Sequence, residues 1–224
     1  MVVYLIRSNE KFNFTDLTYG SPNDPYHMYI FSEGNTSLAV SPFLWNLYFS
    51  NKILMNLTFN GKYFNVSIIA INISYISPSI HVLGYPGFMY GYETWFSFSE
   101  MGKTKEYGLY LPEKLSNLSN FYSFLYYTVW NVTGRIDDFS YDMWLTPQPN
   151  VPQLSKGDIE VMIWNYWGQN LSNVPYFAYI GNAHFPTYIN GTIKNVNYSI
   201  YILNYTGSMN GWTGVYYLMQ DHGI

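Results

Sequence analysis

The chain has 224 residues, of which 21% are aromatic and 11% are charged, and its formal net charge is −4. Its ten basic residues are scattered, and no segment reaches 18 consecutive apolar residues, which argues against a nucleic-acid partner and a transmembrane segment. The strand-favouring residues Tyr, Phe, Trp, Ile, Val and Thr number 90, whereas the strong helix formers Ala, Glu, Lys, Gln and Arg number 25, so the composition predicts an all-β protein.

The predicted strands follow one another along the whole chain without a polar linker or a change of composition. In chain order the clearest are 37–48, 53–59, 63–74, 93–99, 139–146, 158–166 and 198–205. The segment 115–127 fits a helix or a strand equally well, and a proline-rich loop separates the fifth and sixth strands. We predict a single domain over 1–224, with two packed antiparallel sheets in a sandwich or jelly roll.

The asparagines of this chain fall unusually often in the acceptor pattern for N-linked glycans. Eleven of 23 Asn residues stand in Asn-x-Ser/Thr, whereas chance predicts roughly three. They are Asn13, Asn35, Asn56, Asn65, Asn72, Asn117, Asn131, Asn170, Asn190, Asn197 and Asn204. A simpler explanation of this frequency is that Asn, Ser and Thr are all common in polar strand sequences. We favour an extracellular or cell-surface location with N-glycans as possible attachments, although 1–8 is too short for an export signal.

The strand at 158–164 separates two chemically different faces. One face carries Asp158, Glu160, Met162 and Trp164. The other carries Ile159, Val161 and Ile163, and we expect this aliphatic face to be the core side. The first face would then be open, with a carboxylate beside a flat apolar ring, as in a sugar-binding site.

The strand before it repeats this alternation, because Ser140, Asp142 and Trp144 share one face. If the two strands pair through the intervening loop, Asp142 and Glu160 face the same cleft. Neighbouring carboxylates shift each other's pKa, so that one stays ionised while the other tends to hold a proton. A lone carboxylate on a strand is also common as a solvated surface group, and a strand tryptophan is common in packing.

Several kinds of chemistry are excluded or disfavoured by the sequence. The chain has no cysteine, which excludes thiol chemistry. Its four histidines lack the spacing of metal ligands, and no phosphate loop, dinucleotide fingerprint or serine nucleophile elbow occurs. We therefore predict neither a metal site nor a cofactor.

At the two carboxylate strands the sequence resembles glycoside hydrolase family 12, the jelly-roll endoglucanases, and particularly their archaeal and bacterial members. The residues of 160–164, Glu-Val-Met-Ile-Trp, are similar to the family's nucleophile strand, and those of 140–145 to the preceding Ser-Tyr-Asp strand. Two weaker matches are 84–86 followed by Trp95, and 40–45, which ends at Trp45. Gly87 stands where the prokaryotic pattern usually has Glu, and Pro42-Phe43 replaces a pair of asparagines.

The resemblance implies a retaining endoglucanase that hydrolyses internal β-1,4-glucosidic bonds, with a concave cleft across the sheet. Glu160 would be the nucleophile, and Asp142 would orient and tune it. The resemblance also implies substrate contacts for the side chains Trp45, Tyr85, Trp95, Met162 and Trp164. β-Glucan would be the partner.

The acid/base residue of this family is a glutamate on a strand well downstream of the nucleophile. No Glu follows Glu160 in this sequence, and the only later acid is Asp221. We therefore expect the chain to be truncated, without the final helix and strand, and to be weakened or inactive as it stands. Glu93 and Glu100 become candidates if it is fully active.

Two other functions remain open from the sequence. A non-catalytic lectin or carbohydrate-binding module would use the same aromatic sandwich without turnover. A structural cell-surface protein would explain the sequons and the tyrosines alone, and it would show no affinity for oligosaccharides.

Overall fold

The computed structural model describes residues 14–15, 29–33, 36–41, 44–59, 64–79, 82–90, 111–121, 123, 136–149, 151–168, 174–204 and 211–220. The chain forms two compact units, Met1–Ser123 and Phe124–Ile224. In the described ranges every regular element is a strand except one short 3-10 helix, Leu115–Asn117. The all-β prediction is confirmed, while the single jelly-roll domain stays a prediction.

The described residues of the first unit form six strands in two antiparallel sheets of three. The strands are β1 (Phe14–Thr15), β2 (Tyr29–Glu33), β3 (Thr36–Ser41), β4 (Leu47–Phe59), β5 (Phe64–Tyr75) and β6 (Gly87–Tyr90). Their orders are β1-β4-β5 and β2-β3-β6. The long strands β4 and β5 pair from Leu47 opposite Tyr75 to Phe59 opposite Phe64, so this hairpin is the main element of the unit.

A buried asparagine fixes the loop between β5 and β6 in this unit. Asn46 has no exposed surface and lies between the buried residues Leu44 and Leu47. Its Nδ2 donates to the carbonyl oxygens of Val82 at 2.8 Å and Ser77 at 3.3 Å, and its Oδ1 accepts from the Ser77 N–H at 2.7 Å. A buried amide is stable only when its donors and acceptors are paired, and these bonds meet that need.

The described strands of the second unit form one five-stranded sheet. Its strands are β7 (Asp138–Leu145), β8 (Ile159–Trp167), β9 (Phe177–Ile189), β10 (Thr192–Asn204) and β11 (Thr213–Met219), in the order β7-β8-β11-β10-β9. All neighbours are antiparallel except β8 and β11, which are parallel. Asn190 and Gly191 form the turn between β9 and β10 with φ of 48° and 84°. Asn-Gly suits such a tight hairpin because both positions require positive φ.

Both faces of this sheet carry a hydrophobic cluster. The face of Glu160 contains the buried residues Met162, Trp164, Tyr216 and Leu218. The opposite face contains Val196, Tyr198 and Met219, with Ile163 partly buried against them. The prediction that the aliphatic side of β8 is the core side is therefore wrong. Trp164 and Met162 are buried more deeply than the aliphatic side chains, since rings from β9 and β11 cover them.

The predicted strands 53–59, 63–74, 139–146, 158–166 and 198–205 overlap β4, β5, β7, β8 and β10. The prediction of one strand over 37–48 is wrong, because residues 44–46 form a turn between β3 and β4. The strands β9 and β11 are not among the predicted ones. The predictions 139–146 and 158–166 correspond to β7 and β8 within one residue at each end. The prediction 93–99 lies outside the described residues. Of the ambiguous segment 115–127, only Leu115–Asn117 is helical among the described residues. None of the helices in the described ranges is long and apolar enough to cross a membrane.

Candidate functional site

The pairing of β7 with β8 sets the positions of the two predicted carboxylates. Asp142 lies opposite Met162, and Trp144 lies opposite Glu160. Residues opposite each other in an antiparallel pair point to the same face, and residues two apart on one strand do so as well. Asp142 and Glu160 therefore share a face and are diagonal neighbours, which confirms the prediction that the two strands pair and bring these residues to one side.

Glu160 is buried, with 9% of its surface exposed, and it has a specific donor. The hydroxyl of Tyr216 donates to Oε2 of Glu160 at 2.7 Å, and this hydrogen bond is buried. Hydrogen bonds between a hydroxyl and an ionised carboxylate are short and roughly twice as strong as neutral ones. The bond therefore holds one oxygen of the Glu160 carboxyl group in a defined position on β8.

Gly214 provides the space for this contact. The parallel register of β11 places Gly214, not Tyr216, beside Glu160. A Cβ on Gly214 would lie 2.8 Å from the hydroxyl oxygen of Tyr216 and closer still to Cε2 of the same ring. Real side chains do not tolerate such distances, so the ring of Tyr216 lies across a position that any side chain at residue 214 would fill.

Three other side chains surround the Tyr216 ring on this face. Trp164 and Phe177 make edge-to-face contacts with it, at centroid distances of 5.6 Å and 5.1 Å. Nε1 of Trp164 donates to the sulfur of Met162 at 3.5 Å. Trp164 is 3% exposed and Met162 4%, so neither offers an open surface to a ligand. Because Trp164 is buried, its ring does not present an open face to a sugar, contrary to the expectation from the sequence. Met162 and Trp164 instead belong to the buried cluster that contains Tyr216.

Asp142 differs from an ordinary surface carboxylate. Desolvation by the surrounding protein, reinforced by the negative charge of Asp138, raises the pKa of Asp142 to about 7, against a lowering contribution from the Met143 N–H. Desolvation is also the largest cause that raises the pKa of Asp138, to about 6, and Ser140 donates to that carboxylate at 2.7 Å. Asp142 still has an exposed surface, so water offsets part of the desolvation. The raised pKa makes Asp142 easier to protonate than an ordinary surface aspartate.

Two tryptophans lie close to Glu160 along the sheet. Trp144 is the cross-strand neighbour of Glu160, and its ring meets that of Trp212 edge to face at 5.2 Å. Both rings are partly exposed, in contrast to Trp164. Rings of this kind can pack against the apolar face of a sugar, so Trp144 and Trp212 are better placed for ligand contact than Trp164.

Asp158, the other carboxylate predicted on this face, lies just before β8 and stabilises the local structure there. It is completely buried, and its Oδ2 accepts from the Ser155 N–H at 2.6 Å. Its carbonyl oxygen accepts from the Thr213 N–H at 3.0 Å, which joins the start of β8 to the start of β11. Asp158 thus fixes the register in which Gly214 lies beside Glu160.

In the first unit, two of the predicted substrate contacts lie together. The rings of Trp45 and Tyr85 are stacked at a centroid distance of 6.5 Å and an interplanar angle of 23°. Tyr85 is exposed, and Trp45 is partly exposed. Asn46 holds this arrangement, because the loop that precedes Tyr85 is bonded to it through Val82 and Leu83. Trp95 lies outside the described residues.

Tyr216, Gly214 and Trp212 are site residues that sequence reasoning missed. The contact between Tyr216 and Glu160 spans 56 residues and arises from a parallel pairing that no local pattern indicates. A usable signal was the glycine inside an otherwise strand-like segment, 213–219, because a strand glycine often marks a close approach of another group.

No protein-family model matches this chain, and no curated protein matches its sequence. The likeness to glycoside hydrolase family 12 therefore depends on the short motifs around Asp142 and Glu160.

Proposed function

We propose that this chain is a retaining endoglucanase that hydrolyses β-1,4-glucosidic bonds, with Glu160 as the nucleophile and a jelly-roll arrangement of its sheets. The observation that carries the proposal is the buried Glu160 carboxyl group with the Tyr216 hydroxyl on one oxygen and Asp142 diagonally across the same face. A solvated surface glutamate has no need of a dedicated buried donor. The alternation of polar and ring side chains around it also suits a sugar ligand.

In the proposed mechanism, an oxygen of Glu160 attacks the anomeric carbon while the glycosidic bond breaks. A covalent glycosyl-enzyme intermediate forms, and water then hydrolyses it with retention of configuration. Asp142, with its raised pKa, would modulate the charge on Glu160. The acid/base group that protonates the leaving oxygen is not assigned to any residue of the chain.

The aromatic residues would bind the glucan rather than react with it. Trp144 and Trp212 would contact the sugar nearest Glu160, and the stacked pair Trp45 and Tyr85 would offer a second surface for glucose rings. A glucan presents apolar ring faces and hydroxyl groups in alternation, which fits rings that carry a polar edge.

A location outside the cell would agree with a polysaccharide substrate. Among the described sequons, Asn72, Asn117 and Asn190 are exposed, and Asn190 stands at the tip of the β9 to β10 hairpin. The Oδ1 atom of Asn197, by contrast, is buried in the sheet. N-glycans, if attached to the folded protein, would fit the three exposed sites and not Asn197.

The proposal can be tested without knowledge of the acid/base residue. A dinitrophenyl β-cellobioside has a leaving group that departs without protonation, so it reports on the nucleophile alone. A fluorinated cellobioside inactivator should leave a stable adduct, and peptide mass spectrometry should find it on Glu160. We expect Glu160→Gln to abolish both the burst of dinitrophenolate and the adduct.

The exposed Glu113 provides the matched control, since Glu113→Gln removes the same charge from a surface site. This variant should keep the burst and the adduct. Absence of both in the unchanged chain would refute the hydrolase. Cello-oligosaccharide affinity without any adduct would indicate a binding module, and absence of affinity would favour a structural surface protein.

A further inference from the structure

We propose that Tyr216 is a positioning residue for Glu160 and that Gly214 is the residue that allows it to act. The kinetic part of this inference rests on the proposed function, because it concerns the reactivity of the Glu160 carboxylate. The geometric part concerns only how β11 holds a carboxyl group on β8.

The contact between Tyr216 and Glu160 is diagonal. In the parallel register, Gly214 lies beside Glu160 and Tyr216 lies beside Met162. The pair of Tyr216 and Met162 lies two residue pairs along the strands from the pair of Gly214 and Glu160, so a tyrosine perpendicular to the sheet would not reach Glu160. Its hydroxyl reaches Oε2 at 2.7 Å because the ring lies back along its own strand, over Gly214.

The surrounding rings fix this orientation. Trp164 and Phe177 contact Tyr216 edge to face, and the buried Leu218 follows it on the same face of β11. A ring held on several sides retains one rotamer, so its hydroxyl stays at one place. The bond to Oε2 therefore sets the rotation of the Glu160 carboxyl group about its last side-chain torsion and selects the direction in which its other oxygen points.

The chemistry of this contact favours the ionised form of Glu160. A hydroxyl that donates to a carboxylate stabilises the charged state, whereas a protonated carboxyl group gains less from the same donor. Tyr216 keeps its proton throughout. When Glu160 bonds to the anomeric carbon, electrons of the breaking glycosidic bond leave with the departing oxygen, and the hydroxyl still donates to Oε2 of the resulting ester.

The decisive variant is Tyr216→Phe, which keeps the ring and its contacts and removes only the hydroxyl. We expect kcat on the dinitrophenyl cellobioside to fall about tenfold, the factor associated with a hydrogen bond to a charged group. KM should stay nearly constant, and the acidic limb of the pH profile should move to higher pH. In carbon-13 NMR of labelled glutamate, the titration of Glu160, assigned with Glu160→Gln, should move in the same direction.

Tyr217 supplies the matched control because it is the next residue of β11 and lies on the opposite face, where its ring contacts Phe185. Tyr217→Phe should change neither the pH profile nor the NMR titration. Gly214→Ala should reproduce the effects of Tyr216→Phe, since its Cβ displaces the ring. In the Tyr216→Phe background, Gly214→Ala should cause no further shift of the pH profile, because no hydroxyl remains to be displaced.

The outcomes separate the two proposals. An unchanged Glu160 titration and an unchanged kcat in Tyr216→Phe would overturn the positioning role and leave the hydrolase intact. A shifted titration in a protein that forms no adduct with the inactivator would support the role of Tyr216 and overturn the hydrolase. A Tyr217→Phe effect equal to that of Tyr216→Phe would also overturn the positioning role.

Discussion

Replacing Asn46 by alanine would test how the first unit holds its exposed ring pair. The substitution removes the bonds to Val82, to the Ser77 carbonyl and to the Ser77 N–H. The backbone bonds of residue 46, to Leu83 and Ile76, should survive because they do not involve the side chain.

The expected loss of stability follows from the partners left behind. Two of the bonds are short, at 2.7 Å and 2.8 Å, and the third is weaker at 3.3 Å. An unsatisfied buried group costs about 1–3 kcal/mol. Ser77 and Val82 are partly exposed, so water can reach them, and the lower part of this range applies to each. We expect a loss of about 2–3 kcal/mol in the free energy of unfolding.

Urea unfolding would measure this loss, and hydrogen exchange at the Ser77 amide would locate it. A local loss of about 2 kcal/mol corresponds to roughly thirtyfold faster exchange. The exposed Asn120 provides the control, as Asn120→Ala should change stability by less than about 0.5 kcal/mol. If Asn46→Ala were no less stable than this control, the assignment of Asn46 as the support of the Tyr85 loop would be refuted. Cello-oligosaccharide affinity should fall with it if Trp45 and Tyr85 bind glucan.

Other consequences can be measured separately. Leu218 is 1% exposed, so Leu218→Ala should cost about 2–5 kcal/mol in urea unfolding, and a loss below 1 kcal/mol would contradict the core assignment. The pKa of Asp142 in the folded protein, about 7, lies above the ordinary aspartate value of 3.8. The folded protein therefore binds a proton that the unfolded chain has lost, and this contribution to stability should decline as pH rises from about 4 to about 7. Asp142→Asn should flatten that part of the stability profile, and an unchanged slope would count against the raised pKa. A double-mutant cycle on Trp144 and Trp212 should give a coupling of about 0.5–1.5 kcal/mol, whereas additive effects would show that their edge contact contributes nothing.

The sequence predicted the strands around the site and the side that Asp142 and Glu160 share. Both inferences depend on period two within single strands and on the fact that β7 and β8 follow each other in sequence, which are local properties. The buried side of β8 was not predictable in this way, because apolar residues occupy both faces. Ile163 is half-buried on one face and Trp164 is buried on the other, and only the neighbouring strands decide between them.

The partner of Glu160 was also beyond a local pattern. Tyr216 is one of 25 tyrosines, and apart from Gly214 nothing in its own segment separates it from the others. Its role depends on the parallel register of β8 and β11 and on the glycine two residues earlier. Chain topology, rather than composition, therefore determines which tyrosine reaches the carboxylate.

The place of β11 in the sheet has a consequence for how the protein is made. β7 pairs with β8 and β9 pairs with β10, each with its neighbour in sequence, while β11 is inserted between β8 and β10. During synthesis these two hairpins can form first, and each presents an unpaired edge until β11 arrives. Unpaired edges invite pairing with other chains, so the interval before residues 213–219 emerge is the period of greatest risk of aggregation. The Glu160 carboxyl group would gain its hydrogen-bond donor only at the end of that interval, because β11 carries Tyr216.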